Sequence, residues 1–188
     1  MLEPTPISPE ERVRPLTRLE YERLVDMGAF EDERVELLRG FIVTMAPRGP
    51  EHDGSVEKLN YLLLPPLVGR AVVRVASSLA ATDDSEPEPD IAVVPAGDHQ
   101  KAHPTTAYLL IEVSKTSLRK DRAVKTDVYA EAGVDEYWIV NLVDRCIEVH
   151  RSPRNGRYEQ SSVHRAGDRI ALVRFPDVVI AVSDVLPA

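Results

Sequence analysis

The stretch between residues 108 and 140 constrains the fold more than any other part of the chain. Tyr108–Val113 is an almost uninterrupted apolar run, which is typical of a strand buried on both faces of a sheet. A helix is predicted from about Arg119 to Ala132, ended by Gly133 in the usual C-terminal position. Glu136–Val140 then predicts a second buried strand. This strand–helix–strand order favours a right-handed crossover between neighbouring strands of one sheet.

The elements expected before this unit are two helices, each followed by a pair of strands. Thr17 followed by Glu20 has the spacing of a capping box, so a short helix is expected from there to about Met27. Further along, the pattern predicts two short strands within 34–45 turning at Arg39-Gly40, a helix from His52 to about Val68 that Pro65-Pro66 must end or kink, a strand at 71–76 and a strand at 91–94.

Beyond Asn141 the sequence predicts a β-hairpin. Arg145–Arg151 and Arg157–His164 alternate apolar and polar residues around the turn sequence Pro153-Arg154-Asn155-Gly156. We expect this C-terminal third to form a β extension that covers the core or pairs with another chain. At 188 residues the chain is long enough for one compact domain and short for two. We therefore expect a single domain over residues 1–188, with residues 1–16 as a flexible N-terminal arm.

Composition excludes several classes of protein. The longest apolar runs, such as Leu62–Leu64, are far shorter than the roughly 20 residues that span a bilayer, so no membrane segment is expected. Residues 1–15 lack the apolar segment of a secretory signal. Cys146 is the only cysteine, which rules out an internal disulfide and fits a reducing cytoplasm. A glycine-rich phosphate loop, a G-x-S-x-G elbow and a Cys/His zinc pattern are all missing.

Two acidic residues lie at the ends of predicted buried strands. Asp90 follows Pro89 directly before the apolar run 91–94, and Glu112 lies near the end of the run that begins at Tyr108. A carboxylate beside an apolar run is desolvated at a cost unless a cation or hydrogen bonds compensate it, so two that converge favour a bound metal ion. Glu36, within the predicted strand near residue 35, is a third candidate of the same kind.

Asp121, Lys125 and Tyr129 recur every four residues on the predicted helix and therefore share one face. If that face points back to the end of the preceding strand, Lys125 can orient or polarise a water, or stabilise negative charge in a transition state. The alternative is a surface ion pair between Asp121 and Lys125, worth roughly 0.3 kcal/mol. The spacing alone leaves both alternatives open.

Charge argues against tight non-specific binding to nucleic acid. The chain carries 31 acidic against 23 basic residues, a net charge of −8, and so repels phosphate as a whole. The cluster Arg119-Lys120-Asp121-Arg122, together with Lys125, is expected to make a locally basic cleft that offsets this repulsion. Tyr137 and Trp138 are expected in the core, and His99, His103, His150 and His164 on the surface.

Taken together, these residues resemble those of a known family. Glu36, Pro89-Asp90, Glu112-Val113-Ser114 and the block 121–140 closely resemble the Uma2 family, restriction-endonuclease-like proteins of the PD-(D/E)xK superfamily that are widespread in bacteria. The resemblance runs from about Thr17 to at least Asn141. It implies an α/β (α+β) fold, in which a mixed central β-sheet is flanked by helices and the site lies at the strand ends, here with the C-terminal β-hairpin extension.

By analogy with the superfamily, the resemblance implies that Asp90 and Glu112 ligate Mg²⁺ or Mn²⁺, with the backbone carbonyl of Val113 as a third ligand. Glu36 would complete the acidic cluster. The superfamily pattern places a lysine two residues after the glutamate, where this chain has Ser114. Lys125, from the following helix, is the expected replacement.

Several further residues are expected to assist. His52 lies near the start of a predicted helix, where it would contact the scissile phosphate, brace Glu36, or make only a local hydrogen bond. Tyr129 would hydrogen-bond phosphate or simply pack. Asp121 and Arg122 are expected beside the substrate.

The resemblance implies a metal-dependent endonuclease that cuts the phosphodiester bonds of nucleic acid, DNA in particular, and acts as a homodimer. The alternative is a non-catalytic module of the same fold, whose C-terminal hairpins make a homodimer or bind another protein. Since a decaying site should lose its unpaired buried charges first, the joint presence of Glu36, Asp90, Glu112 and Lys125 argues against decay. The net charge argues the other way.

Overall fold

The computed structural model describes residues 13–187 of the chain. Its helices are α1 (Arg18–Asp26), α2 (Pro50–Leu67), α3 (Leu118–Lys120), α4 (Thr126–Glu131) and α5 (Val182–Val185), and a π-helical segment, Asp121–Lys125, joins α3 to α4. Its strands are β1 (Val35–Leu38), β2 (Phe41–Thr44), β3 (Ala71–Val75), β4 (Ile91–Pro95), β5 (Leu109–Ser114), β6 (Glu136–Asn141), β7 (Cys146–Arg154), β8 (Arg157–His164), β9 (Arg169–Ala171) and β10 (Val179–Ala181). None of the helices in this range is long and apolar enough to cross a membrane.

The strands at residues 71–164 form one mixed sheet in the order β3-β4-β5-β6-β7-β8. β5 and β6 run parallel, and the other neighbours in this sheet run antiparallel. Every residue of β5 and β6 is buried, as their apolar runs predicted. The predicted mixed central sheet flanked by helices is therefore confirmed.

Helices cover both faces of this sheet. On one face, Leu59, Leu63 and Leu67 of α2 pack in a cluster with Val113 of β5. On the other, Val128 and Tyr129 of α4 pack with Leu110, the residue two before Glu112. Because side chains alternate along a strand, Glu112 shares the face of Leu110 and points toward the helical segment after β5. Tyr137 and Trp138 are fully buried, as expected.

A small hairpin of β1 and β2 lies apart from the central sheet and carries Glu36. Its turn, Arg39-Gly40, has positive φ at both residues, which suits a tight hairpin. Leu16, from the end of the predicted arm, donates its N–H to the Gly40 carbonyl at 3.0 Å. Residues 1–12 of that arm lie outside the described range. The capping box at Thr17 is present at the start of α1.

The C-terminal third differs in part from the expected extension. The predicted hairpin forms as β7 and β8 around Asn155-Gly156, but it continues the central sheet. The segment after it covers the core instead, because Ile170, Phe175 and Val185 pack in the same cluster as α2. Of the two expected roles for this region, covering the core is therefore observed.

Two local expectations were wrong. The helix after β5 is not one continuous α-helix, because the N–H of Thr126 bonds the Asp121 carbonyl five residues back and makes a π-helical turn. Apolar spacing cannot reveal such a turn. His150 is half-buried and not a freely exposed surface residue, since its ring stacks on Tyr137 with centroids 5.8 Å apart and lies 6.0 Å from the ring of Tyr158.

Candidate active site

A cavity of about 520 Å³ opens between the β2–α2 loop, the paired ends of β4 and β5, and the helical segment that follows β5. In the described part of the chain, its wall is balanced in charge, unlike the chain as a whole. The acidic side chains on the wall are Glu51, Asp90, Glu112 and Asp121, and the basic ones are Arg48, Lys115, Lys120 and Lys125. His52 also lines it.

Asp90 and Glu112 come together through strand register. β4 and β5 are antiparallel with Ile91 paired to Ile111, so Asp90 lies across from Glu112 one step further along. The Val113 N–H donates to Asp90 Oδ2 at 2.8 Å, which fixes the carboxylate beside β5. Each of the two acidic residues is only 5% exposed. The structure therefore brings the two predicted carboxylates to one buried place.

Lys125 lies on the π-helical segment and points back at Glu112. Its Nζ donates to Glu112 Oε1 at 2.8 Å and lies 2.9 Å from Glu36 Oε2. Burial opposes the charge on Lys125, but the carboxylates of Glu112 and Glu36 outweigh it and raise the pKa of Lys125 above its usual value. The ammonium is therefore a fixed positive charge, not a proton acceptor. Because Asp121 and Lys125 are both buried, they do not form the surface pair of the alternative interpretation.

Glu36 lies behind Lys125 and is not part of the cavity wall. Its Oε1 accepts from Lys120 Nζ at 2.5 Å, and its Oε2 accepts the Glu88 N–H at 3.3 Å as well as facing Lys125. Burial raises the pKa of Glu36, but Lys125 and Lys120 together lower it below the usual value. Glu36 is thus an ionised anchor for two lysines that reach toward the cavity.

Tyr129 holds Glu112 from the other side. Its hydroxyl donates to Glu112 Oε1 at 2.6 Å, and its ring packs edge-on against Tyr137. Burial, and then the charge of Glu112, raise the pKa of Tyr129 well above its usual value, so the hydroxyl stays a donor. The Tyr129 side chain is fully buried and does not line the cavity. Of its two expected roles, packing and contact with phosphate, the position of Tyr129 matches packing.

The surroundings of Glu112 disfavour its negative charge, although the cavity wall as a whole is balanced in charge. Burial raises the pKa of Glu112 well above its usual value, and Asp121, Asp90 and Glu36 raise it further against the opposing effect of Lys125. A divalent cation would relieve this repulsion, and carboxylate oxygens are ligands that Mg²⁺ and Mn²⁺ prefer. The residues present therefore fit such a cation.

The site offers few side chains as metal ligands. Within residues 13–187, no group of three or more His, Cys, Asp or Glu side chains converges closely enough to hold a metal ion. Mg²⁺ commonly binds through one or two carboxylates and keeps several waters. A cation here would therefore depend on Asp90 and Glu112, with backbone carbonyl and water oxygens completing its shell.

Two side chains, one from the loop before α2 and one from its first turn, reach Asp90. His52 Nε2 lies 3.1 Å from Asp90 Oδ2, so it contacts Asp90 and not Glu36. Arg48 Nη2 lies 3.2 Å from Asp90 Oδ1. Burial raises the pKa of Asp90, but His52, Val113 and Arg48 together lower it below the usual value. Sequence reasoning missed Arg48, because an isolated loop residue has no periodicity to mark it.

Of the remaining residues expected at the site, some line the cavity and others lie outside it. Ser114, at the position where the superfamily pattern has lysine, donates its hydroxyl to Asp121 Oδ2 at 2.6 Å. Asp121 Oδ1 is buried without a hydrogen-bond partner among the described residues. Arg122 turns away from the cavity and pairs with Glu148 at 2.5 Å. The predicted basic cluster is thus split, with Lys120 on the cavity wall and Arg119 exposed outside it.

Comparisons with known proteins agree with this architecture. The model of the Uma2 family, described as "Putative restriction endonuclease", matches residues 19–183. The fold is similar to the crystal structure of "a putative nuclease belonging to DUF820" from Anabaena variabilis ATCC 29413, with a TM-score of 0.68 and 16% identity over 91% of this chain and 97% of that chain. At that identity the likeness shows the fold alone. A search of curated proteins found no match.

Proposed function

Because this chain belongs to the Uma2 family, we propose that it is a metal-dependent endonuclease that hydrolyses phosphodiester bonds of nucleic acid, DNA in particular. Family membership supports a nuclease-like function. The observation that carries the proposal is the meeting of Asp90 and Glu112 in one cavity, with the buried ammonium of Lys125 fixed 2.8 Å from Glu112.

In this proposal Asp90 and Glu112 hold Mg²⁺ or Mn²⁺, with the carbonyl of Val113 as a further ligand. Such a cation, when bound, would polarise the scissile phosphate and lower the pKa of the attacking water. The antiparallel register and the Val113 N–H hold the Asp90 carboxylate in place before any ligand arrives.

The other side chains supply pre-organised charge. Lys125 stays protonated, so it stabilises the negative charge that develops on the phosphate. Tyr129 and Lys125 both bond Glu112 Oε1 and leave little freedom to that carboxylate. Glu36 in turn fixes Lys125 and Lys120. Because these groups are already ordered, little reorganisation is needed during the reaction.

The proposal also includes a homodimer in the cytoplasm. Exposed apolar side chains, Tyr61 on α2 at 78% exposure and Val68 directly after it at 70%, support a contact between copies. The one cysteine, Cys146, is buried and unpaired, which suits a reducing compartment. Sedimentation velocity tests the dimer directly, and a purely monomeric protein at high concentration would remove that part of the proposal.

The test of the activity is cleavage of single-stranded, double-stranded and branched DNA, and of RNA, with Mn²⁺ or Mg²⁺. Glu112→Gln should abolish cutting, because it removes one of the two carboxylates that would hold the cation. Glu57→Gln is the matched control, since Glu57 is an exposed residue of α2 outside the cavity. Cutting that survives in Glu112→Gln, or requires no divalent cation, would contradict the proposal.

A second candidate is the non-catalytic module with the same fold. The net charge of −8 and the lack of a third convergent ligating side chain in residues 13–187 favour it. This candidate predicts that Mn²⁺ leaves the melting temperature unchanged. The nuclease predicts a rise by mass action that Asp90→Asn removes.

A further inference from the structure

We propose that Arg48 is the phosphate-binding residue of the cavity, the side chain that holds a substrate phosphodiester against Asp90 and Glu112. This inference rests on the proposed nuclease function and identifies the residue through which the chain recognises the charge of its substrate. It also explains how an acidic protein accepts an anionic ligand at this one place.

Arg48 lies in the loop between β2 and α2, on the cavity wall. Its Nη2 is 3.2 Å from Asp90 Oδ1 and 3.5 Å from Glu88 Oε1. The same nitrogen is buried and makes no hydrogen bond within residues 13–187. The guanidinium is therefore held near Asp90 by charge, but neither carboxylate satisfies this nitrogen with a hydrogen bond. A buried donor without a partner is costly, and an incoming acceptor removes that cost.

The lysines of the cavity wall are already bonded to carboxylates. Lys125 faces Glu112 and Glu36, and Lys120 donates to Glu36 at 2.5 Å. A third lysine, Lys115, donates to Glu51 at 2.6 Å. Arg48 is also ion-paired, but among the described cations of the wall it is the one with a buried nitrogen that makes no hydrogen bond.

The chemistry and the position of Arg48 both suit a phosphodiester. A guanidinium presents its donors in a planar fork that matches two phosphate oxygens, and such charge-assisted pairs are strong. A phosphate oxygen brought to a cation at Asp90 comes within reach of Arg48, given the 3.2 Å separation of Arg48 and Asp90. Helix α2 begins at Pro50, two residues later, and the positive end of its dipole lies on the same wall.

Because Arg48 pairs with Asp90, it should weaken metal binding and strengthen phosphate binding, and one substitution tests both effects. In the free protein its positive charge competes with a metal ion for Asp90. In the complex it would bind the phosphate. Arg48→Met should therefore bind Mn²⁺ more tightly than wild type and DNA more weakly. A residue that merely supports the loop would weaken both.

The experiment measures Mn²⁺ affinity by calorimetry, and the binding of fluorescein-labelled single- and double-stranded DNA by anisotropy with Ca²⁺ as the only divalent cation. Arg48→Met should weaken DNA binding by about tenfold or more and lower the slope of log affinity against log salt by about 1. Arg48→Lys keeps the charge and should keep the salt slope while recovering only part of the affinity. Arg119→Met, which removes an exposed arginine outside the cavity, should change neither measurement.

Melting temperatures establish that each variant is folded. If Arg48→Met does not fold, the Arg48→Lys variant provides the test. A lower DNA affinity of Arg48→Lys at unchanged Mn²⁺ affinity supports the proposal, and an unchanged DNA affinity overturns it. If wild type binds and cuts DNA and Arg48→Met binds DNA equally well, the proposed role of Arg48 is overturned but the proposed nuclease function is not. Wild type that binds Mn²⁺ but no nucleic acid overturns the proposed function, and this inference with it.

Discussion

Replacing Lys125 with methionine tests the core of the site in the absence of any ligand. Lys125 is 2% exposed and lies between Glu112 at 2.8 Å and Glu36 at 2.9 Å. Removing one partner of a buried ion pair costs about 3 to 5 kcal/mol, because it leaves an uncompensated charge in the interior. Methionine fills a similar volume, so the lost charge dominates the effect.

The structure places the expected loss near the lower end of that range. Glu36 keeps Lys120 and the Glu88 N–H, and Glu112 keeps the Tyr129 hydroxyl. We therefore expect Lys125→Met to lower the free energy of unfolding by about 3 kcal/mol. For a domain of this size that corresponds to a melting temperature lower by roughly 6 to 12 °C.

Urea unfolding near neutral pH, without divalent cations, measures the loss. Lys115→Met is the matched control, because Lys115 and its partner Glu51 are 61% and 54% exposed and such a pair contributes at most about 1 kcal/mol. Adding Glu112→Gln to Lys125→Met should restore part of the stability, since the unpaired carboxylate is then gone. A Lys125→Met loss no larger than that of Lys115→Met, or no recovery in the double variant, would refute the buried network as described.

Two further predictions concern parts of the fold outside the cavity. Burial, and then Glu22, raise the pKa of Glu86 from 4.5 to about 7, so the folded protein keeps a proton that the unfolded chain releases. That stabilisation is fully present below about pH 4.5 and is lost as the pH rises through about 7. Glu86→Gln cannot ionise, so its free energy of unfolding should equal that of wild type at about pH 4.5 and exceed it by at most about 3 kcal/mol above pH 8. Urea unfolding curves that coincide for the two proteins at both pH values would contradict this. Gly40→Ala should cost about 3 kcal/mol, because φ is +78° and a Cβ would lie 2.3 Å from Pro15 Cβ. Gly69→Ala, with a similar φ of +75° and nothing within 4 Å, should cost only about 1 kcal/mol by thermal denaturation, and equal losses would exclude a clash with Pro15.

Much of the fold could be predicted because its signals are local. The capping box at Thr17, the Asn155-Gly156 turn and the buried runs of β5 and β6 each depend on residues close together in the chain. The four-residue spacing also placed Lys125 on one face with Asp121 and Tyr129, but it left open whether that face meets the preceding strand, and the π-helical turn that orients Lys125 was not visible. Backbone hydrogen bonding in that turn depends on what the helix packs against.

Within the site, the sequence identified residue types and the tertiary structure assigned their partners. Asp90 directly before one apolar run and Glu112 near the end of another predicted two desolvated carboxylates, because burial of a strand follows from its own composition. Only the folded chain brings Lys120 to Glu36 across 84 residues, brings Arg48 to Asp90 from an unpatterned loop, and directs Arg122 away to Glu148. An ion pair forms with whichever opposite charge the fold places nearest, and that neighbour can lie anywhere in the chain. The sequence by itself therefore determined that the strand carboxylates Asp90 and Glu112 would be buried, and the tertiary structure decided that Lys125 is buried with them and which charges meet.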